Sequence, residues 1–241
     1  MSTPTLGAVG QVITGYSTSN STGAVNTAAS GSNFLLLICA SAAPTPTVSD
    51  NFSNTYTLKN TFPVNGAYEN VYVYECDGGT GGTGHAATVS FGSTAMAFHA
   101  LLIEVVNGVY DTGAYTSVAT STTQTTASIT TASGVGALVL AHLAVVGYTT
   151  TTLTSELFGN VVASNLAGAT YGTGYALATE TVASSSTVSD TFTLGTAAPA
   201  ATVILSMKYQ SGSGGGSSGI PSAGNYQFGG ASYRNTFGLR R

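Results

Sequence analysis

The hydrophobic pattern of this chain repeats every two residues, which is the period of a β-strand and not that of an α-helix. Turn-forming residues, as at 44–46, 65–66 and 107–108, separate the apolar or alternating stretches. No stretch reads as a capped amphipathic helix of useful length. The pattern therefore predicts an all-β chain, with strands at residues 34–40, 70–76, 85–91, 98–106, 137–146, 174–181, 189–194 and 201–209.

An offset of 103 residues aligns strands of the second half of the chain with strands of the first. The repeat predicts a two-sheet antiparallel β-sandwich, jelly-roll-like, with approximate internal symmetry. Two tandem small domains are the alternative, although no proline-rich or charged linker separates the halves. The matched pairs are Gly31 with Gly134, Leu35 with Leu138, Leu37 with Leu140, Tyr72 with Tyr175, Thr88 with Thr191, Gly92 with Gly195, Ala95 with Ala198, Ala97 with Ala200 and Leu102 with Leu205.

Charged residues make up only 6% of the chain, roughly a quarter of the share usual in soluble domains. Hydroxyl, amide and glycine residues must therefore cover the surface, and these groups cost less to desolvate than ammonium or carboxylate groups. A net charge of −4 also leaves copies of the chain weakly repulsive. With 43% hydrophobic residues the chain can still build a core. These features indicate a subunit that packs against neighbours, as in a homo-oligomer.

The C-terminal segment differs from the rest of the chain in composition. Residues 211–219 are all glycine or serine, and three of the five Lys and Arg residues follow them. We predict a β-sandwich domain over residues 1–210, a linker over 211–219 and an extended docking arm over 220–241. Aromatic side chains can fill pockets and arginines can pair with carboxylates, so a short arm can bind firmly. The predicted partner-binding residues are Tyr226, Phe228, Tyr233, Arg234, Phe237, Arg240 and Arg241.

The first residues lack the basic and apolar regions of a secretory signal, and no apolar run reaches the ~18 residues that cross a bilayer. Five basic residues are too few for the phosphate contacts of a nucleic-acid-binding protein. We expect synthesis in the cytoplasm, with neither a membrane nor a nucleic acid as partner. In that compartment Cys39 and Cys76 are expected to be free thiols, and a disulfide is the alternative.

Two glycine-rich segments match the residue pattern of a cofactor-binding or catalytic motif but lack its predicted structural context. Residues 79–84 fit G-x-G-x-x-G, but a strand follows where a dinucleotide site needs a helix N-terminus, so we predict a hairpin loop. Residues 215–219 fit G-x-S-x-G, but they lie in the linker and not on a strand-turn-helix. We expect no cofactor.

Histidines and carboxylates are the remaining candidates for chemistry. His85 lies across the glycine-rich loop from Glu75 and Asp77, which resembles a cation site but offers too few ligands for calcium. Glu69 and Glu75 form a candidate glycosidase pair. Glu104 lies among apolar residues, and an outward-facing position is its simpler interpretation. None of these patterns predicts a metal site or a catalytic residue.

Two further sets of residues have structural and functional interpretations. His99 and His142 lie within apolar strands, where hydrogen-bonded core or subunit-interface histidines are expected. Tyrosines at 110, 115, 148, 171 and 175 are predicted in or near loops, where they could stack on sugars or anchor protein contacts. Ordinary sheet surface is the alternative for these tyrosines.

Six segments resemble, in order, a β-sandwich family found in bacteriophage structural proteins and bacterial surface proteins. They are SNFLLLICAS (32–41), VSDNFSNTYTL (48–58), ENVYVYEC (69–76), HAATVSF (85–91), HALLIEVVNGV (99–109) and SITTASGVGALVLAHLAVV (128–146). The likeness covers about residues 30–210 and rests on strand order and on a short Asp…Asn-Thr-Tyr motif, in which Ser53 replaces the family's usual glycine. It implies a sandwich fold and carries over no catalytic residue.

These observations predict a non-enzymatic bacteriophage virion protein that decorates or cements the head. Its partners would be the major capsid protein, other virion proteins or further copies of itself. A glycan- or receptor-binding module of a phage fibre or a bacterial adhesin is the alternative. A glycosidase or esterase would need an acid–base pair that the sequence does not reveal.

Overall fold

A computed structural model describes residues 3–41, 44–65, 68–133, 135–146, 151–166 and 173–210. The predicted linker and arm, with all seven predicted partner-binding residues, lie outside these ranges. The predicted boundaries at 210 and 219 therefore stay predictions. The described residues form no helix, so they include none that could cross a bilayer.

The described residues form antiparallel strands throughout, which confirms the all-β prediction. Because Thr, Ser and Val alternate along many of them, one side of a strand can face the core while the other faces solvent. The strands are β1 (Thr5–Ser17), β2 (Ser19–Ser21), β3 (Ser30–Ser41), β4 (Thr47–Asp50), β5 (Thr57–Phe62), β6 (Glu69–Thr80), β7 (Ala87–Ser90), β8 (Met96–Val106), β9 (Gly108–Thr125), β10 (Ile129–Thr130), β11 (Ala137–Val146), β12 (Leu153–Glu156), β13 (Val161–Asn165), β14 (Thr173–Val182), β15 (Thr187–Val188) and β16 (Thr191–Tyr209).

The two halves of the chain share one strand order. The first half forms a large sheet, β1-β8-β3-β6-β5, and a small sheet, β2-β7-β4. The second half repeats the large sheet as β9-β16-β11-β14-β13, and the far ends of β9 and β16 join β12 to repeat the small one. This is the order of a jelly roll, in which the first strand pairs with the last and the third strand lies next to the last. The predicted jelly-roll-like sandwich with an internal repeat is confirmed.

The main core lies between the two large sheets. Leu35 and Leu37 of β3 pack in one cluster with Leu138 and Leu140 of β11, together with inward residues of the neighbouring strands. The outer face of each large sheet is also apolar and is covered by its own small sheet. The sandwich therefore has four layers, and one continuous core joins the halves. A division into two separate small domains does not fit this core.

The repeat does not keep one offset along the chain. Leu35 lies opposite Glu75, so an offset of 103 places Leu138 opposite Ala178. Leu138 instead lies opposite Thr181. Insertions between the strands have changed the register while keeping the strand order. An odd shift exchanges the two faces of a strand, because side chains alternate with period two.

The expected match between Tyr72 and Tyr175 is wrong for this reason. Tyr72 faces the small sheet of its half, whereas Tyr175 packs in the core between the large sheets. The cysteines follow the same alternation. Cys39 faces the main core and Cys76 faces the small sheet, so they lie on opposite faces and both are free thiols, as expected.

Candidate functional site

The structure separates His85 from the carboxylates proposed as its partners. His85 Nε2 lies 2.9 Å from Asp50 Oδ2, and His85 Nδ1 lies 3.1 Å from Thr27 Oγ1. The rings of Phe34 and Phe52 meet the imidazole edge to face, and the side chain is fully buried. A suggested cation site at His85, Glu75 and Asp77 is therefore wrong. His85 is a packed and hydrogen-bonded core residue.

Asp50 organises the turn of the Asp…Asn-Thr-Tyr motif from the last position of β4. Its carboxylate accepts hydrogen bonds from the amides of Phe52 and Asn54, from Asn54 Nδ2 and from Tyr56 Oη. Burial opposes ionisation, but the hydrogen bonds from Asn54, His85 and Tyr56 outweigh it and lower the pKa of Asp50. The motif therefore has a structural role in this half of the chain.

The other candidate carboxylates are also engaged in the fold. Glu75 pairs with Lys59 Nζ at 3.0 Å and accepts the Tyr110 amide at 2.6 Å. Six residues separate Glu69 from Glu75 along the extended β6, which is about 20 Å and too far for two carboxylates that act on one glycosidic bond. The candidate glycosidase pair is thus excluded.

Glu104 is buried and does not face outward, so its simpler interpretation is wrong. Its carboxylate accepts the Ala8 amide at 3.1 Å and the Ala28 amide at 2.8 Å. Gly7 makes room for it, because a Cβ at Gly7 would lie 2.4 Å from Glu104 Oε2. The side chain joins β1, β8 and the segment before β3.

His99 and His142 are hydrogen-bonded core histidines, as predicted. Their Nε2 atoms lie 3.0 Å apart between the two large sheets, and neither Nδ1 atom has a partner among the described residues. Burial lowers the pKa of both, aided for His99 by the nearby His142, and that of His142 falls to about 4. The ring of Tyr175 packs 5.0 Å from His99, and its hydroxyl donates to Gln11 Oε1.

The tyrosines predicted in loops lie elsewhere or outside the described residues. Tyr110 and Tyr115 lie at the surface of the sheet in β9, which is the alternative interpretation, and Tyr175 is buried in β14. Tyrosines 148 and 171 are not among the described residues. The large exposed tyrosines are instead Tyr16 and Tyr68, which are 71% and 76% exposed.

An acidic pair in the second half takes the place of Asp50 and His85. Glu156 ends β12 as Asp50 ends β4, and Glu156 Oε1 accepts the amide of Phe158 at 2.6 Å. Asp50 is the strand partner of Ala87 and contacts His85, two residues before Ala87. Glu156 is the strand partner of Phe192 and contacts Asp190, two residues before Phe192. The second half therefore keeps the turn and replaces the histidine by a second acid.

No basic group in the described part of the chain pairs with either acid. Asp190 is fully buried, and its Oδ1 accepts the amides of Thr191 and Phe158 at 2.7 and 3.3 Å. Glu156 Oε2 and Asp190 Oδ2 are buried, and no N–H or O–H group of the described residues donates to either. Burial first, and then the hydrogen bond and charge of Glu156, raise the pKa of Asp190 to about 7. Asp190 is therefore protonated and uncharged below that pH.

A shallow groove opens beside the pair. Its volume is ≈ 270 Å³, slightly below the ~300–1,000 Å³ of small-molecule sites, so it suits a single side chain. Val161 in its wall is 40% exposed, and Leu157, which follows Glu156 in the chain, is 68% exposed. The groove is lined by Leu153, Thr154, Glu156, Gly159 and Val161. We call it the β12 groove.

Sequence reasoning missed Glu156 and Asp190 because it used one offset for the whole chain. At 103 residues Glu156 aligns with Ser53, but at 106 the segment SDNFSN (49–54) aligns with SELFGN (155–160). Serine, phenylalanine and asparagine then coincide, and Glu156 stands at the place of Asp50. A search for the motif with a free offset would have found it.

Comparison with known proteins adds nothing to this geometry: no protein-family model, no curated protein and no solved structure matches the chain. The class of protein is defined by the fold alone, an antiparallel jelly-roll sandwich with an internal repeat. The resemblance to the family of phage and bacterial surface proteins stays a prediction.

Proposed function

We propose that the protein is a non-enzymatic structural subunit of a bacteriophage particle, a decoration or cement protein of the head. One observation carries the proposal: two jelly-roll halves fused through a single core, in a chain with 6% charged residues. Jelly rolls recur in viral capsid proteins. An uncharged polar surface costs little to bury between subunits. The virion is the proposed location, and the major capsid protein or other virion proteins are the proposed partners.

The arrangement of the carboxylates supports a role without catalysis. Asp50, Glu75 and Glu104 each accept hydrogen bonds that hold the fold together. Glu156 and Asp190 are in contact, whereas glycosidase carboxylates stand about 5–9.5 Å apart with substrate or water between them. An aspartic-protease dyad also brings two carboxyl groups into contact, but Asp190 is fully buried and offers no access to an attacking water.

The arm at residues 220–241 is the proposed means of attachment. Its arginines and aromatic residues can bind carboxylates and pockets on the particle or on a neighbouring copy. The test is to complement a phage that lacks the gene with the whole chain or with a chain ending at Tyr209. The chain ending at Tyr209 should be absent from purified particles, with wild-type circular dichroism as evidence that it folds. Full occupancy of the particles by this variant would contradict the role of the arm.

Glycan binding is a second candidate function, favoured by one observation. Tyr16 and Tyr68 are the most exposed of the described tyrosines, and aromatic faces stack on sugar rings. Jelly rolls also occur in lectin domains. Binding to a glycan array, lost on Tyr16→Ala or Tyr68→Ala and kept on Tyr115→Phe, would favour this function. Absence of binding to every glycan by the wild-type chain would remove it.

A further inference from the structure

Among the described residues, Glu156 and Asp190 are two contacting acidic groups with no cation beside them, and three of the five Lys and Arg residues of the chain lie in the arm. Of the two lysines, Lys59 pairs with Glu75 at 3.0 Å and Lys208 pairs with Asp111 at 3.1 Å. The other three of the five Lys and Arg residues are the arginines of the arm. Glu156 and Asp190 have no cation near them among the described residues. The chain therefore carries its own complement to the acidic pair.

The β12 groove also matches the arm in its apolar parts. Leu157 and Val161 flank Glu156 and expose much of their side chains to solvent. Aromatic residues stand one position before and three positions after Arg234 in the arm. An arginine stacked among aromatic and aliphatic side chains can donate to a carboxylate oxygen while the rings cover apolar surface. The volume of ≈ 270 Å³ admits one such side chain.

We propose that the β12 groove binds residues 220–241 of a neighbouring copy of this chain, with an arginine guanidinium on the carboxylate of Glu156. Arg234 is the arginine with aromatic neighbours on both sides and is the proposed anchor. Asp190, fully buried behind Glu156, contacts the Glu156 carboxyl group and holds it in place. This inference rests on the proposed function, because it names the receptor for the attachment arm.

Because the arm is proposed to attach one molecule to another, a neighbouring copy is its proposed source. The arm follows β16 at Tyr209, and the groove lies beside the opposite end of β16, where Leu194 pairs with Leu153. These ends are about 50 Å apart along the strand. An arm at one end and its receptor at the other make a head-to-tail contact, which links copies into rings or open chains. Such a contact suits a lattice-forming virion subunit.

The first experiment compares full-length variants by sedimentation velocity over a range of concentrations. The wild-type chain should self-associate, and both Glu156→Gln and the triple variant Arg234→Ala, Arg240→Ala, Arg241→Ala should weaken association at least tenfold. Glu180→Gln removes the same charge from an exposed position on β14 and should leave association unchanged. Denaturant unfolding verifies that Glu156→Gln folds, and Asp190→Asn provides a second variant of the pair. A monomeric wild-type chain, or Glu156→Gln that associates as tightly as wild type, would overturn the proposal.

Mixing the variants tests whether the arm comes from another copy. Glu156→Gln keeps an intact arm, and the triple arginine variant keeps an intact groove. An equimolar mixture should form heterodimers that neither variant forms alone, and nothing larger. No association in the mixture would contradict a contact between copies.

Particle occupancy separates failure of this inference from failure of the proposed function. If Glu156→Gln is fully incorporated into particles while the arginine variant is not, the arm binds another surface and the β12 groove is not its receptor. If neither variant nor the wild-type chain is found on particles, the proposed virion function is wrong whatever the proteins do in solution.

Discussion

His99 Nε2 and His142 Nε2 lie 3.0 Å apart in the core between the large sheets, and one histidine comes from each half of the chain. At this distance one nitrogen must donate its proton and the other must accept it. Burial lowers the pKa of both rings, so both are neutral near pH 7. Protonation of either ring would place a charge in an apolar core, and protonation of the accepting Nε2 would also set two N–H donors against each other.

We predict that this pair makes the protein sensitive to acid. The pKa of His142 is lowered to about 4 by burial, whereas an unfolded histidine titrates near 6.5. Between these two pKa values the unfolded chain binds a proton on His142 and the folded chain does not. The full contribution of His142 to the free energy of unfolding is therefore present above pH ~6.5. It is lost as pH falls from about 6.5 to about 4, by on the order of 3 kcal/mol. Urea unfolding at pH 7.5, 6 and 4.5 measures this loss.

The double variant His99→Leu, His142→Leu is the control for this prediction. The double variant removes both hydrogen-bond partners together. Its free energy of unfolding should therefore be close to that of wild type at pH 7.5 and should fall less than that of wild type at pH 4.5. His142→Leu alone leaves His99 without its partner and should cost ~1–3 kcal/mol at pH 7.5. A double variant with the wild-type dependence on pH would contradict the assignment.

Asp190 should show the opposite dependence on pH. Its folded pKa of about 7 lies above the unfolded value near 3.9, so the stability that it contributes is present below pH ~3.9 and is lost as pH rises through 7. Asp190→Asn removes this loss, because an amide can donate to Glu156 without a charge. The variant should match wild type at pH 4 and gain on the order of 4 kcal/mol at pH 8, because the pKa of Asp190 rises from about 3.9 to about 7 on folding, and thermal unfolding at the two pH values measures this difference. An equal change in Tm at both pH values would contradict the raised pKa of Asp190.

The turn after β4 has serine where the equivalent turn after β12 has glycine, so exchanging these residue types should have opposite effects on stability in the two turns. Ser53 has φ +59° and Gly159, its equivalent, has φ +73°. A side chain in this region costs about 1–2 kcal/mol, partly offset by the ~0.4–1 kcal/mol that glycine adds to unfolded-state entropy. Ser53→Gly should therefore stabilise the protein by ~0.5 kcal/mol and Gly159→Ser should destabilise it by a similar amount. Thermal unfolding of the two variants tests the signs, and two changes of the same sign would contradict the equivalence.

Glu104 should contribute to the stability of the fold. Glu104→Ala leaves the part-buried amides of Ala8 and Ala28 without an acceptor, at a cost of ~1–3 kcal/mol. Glu104→Gln keeps one acceptor oxygen and should cost less. Denaturant midpoints of the two variants measure this order. A smaller loss in the alanine variant than in the glutamine variant would contradict the hydrogen bonds described.

Strands with a strong apolar pattern could be predicted from the sequence, and strands with a polar pattern could not. Residues 34–40 and 137–146 lie in β3 and β11, which are buried on both faces and read as apolar runs. The long strand β9 was missed, because much of its length is exposed threonine and serine, which carry no hydrophobic signal.

One predicted break proved wrong, and the backbone explains it. Two strands were predicted at 189–194 and 201–209, but β16 is continuous across them. Gly92 in the first half has φ +66° and turns the chain between β7 and β8. Gly195 aligns with it by sequence but lies inside an extended strand. A glycine permits a turn without requiring it, so the sequence could not distinguish the two positions.

The contacts of the candidate site depend on tertiary structure and could not be read from spacing. His85 meets Asp50, 35 residues away, and not the acids near it in sequence. Glu156 and Asp190 lie 34 residues apart in the chain and meet across β12 and β16. Only the strand register defines such pairs. The local SELFGN motif would have located Glu156 and left its partner undefined.

Cryo-electron microscopy of purified phage particles tests the central claim most directly. Particles made with the wild-type gene should show the four-layer sandwich at regular positions on the head, and particles made without the gene should lack that density. Its presence on the head would support the proposed structural role. Particles with no such density on the head, or with the sandwich only on tail fibres, would contradict it.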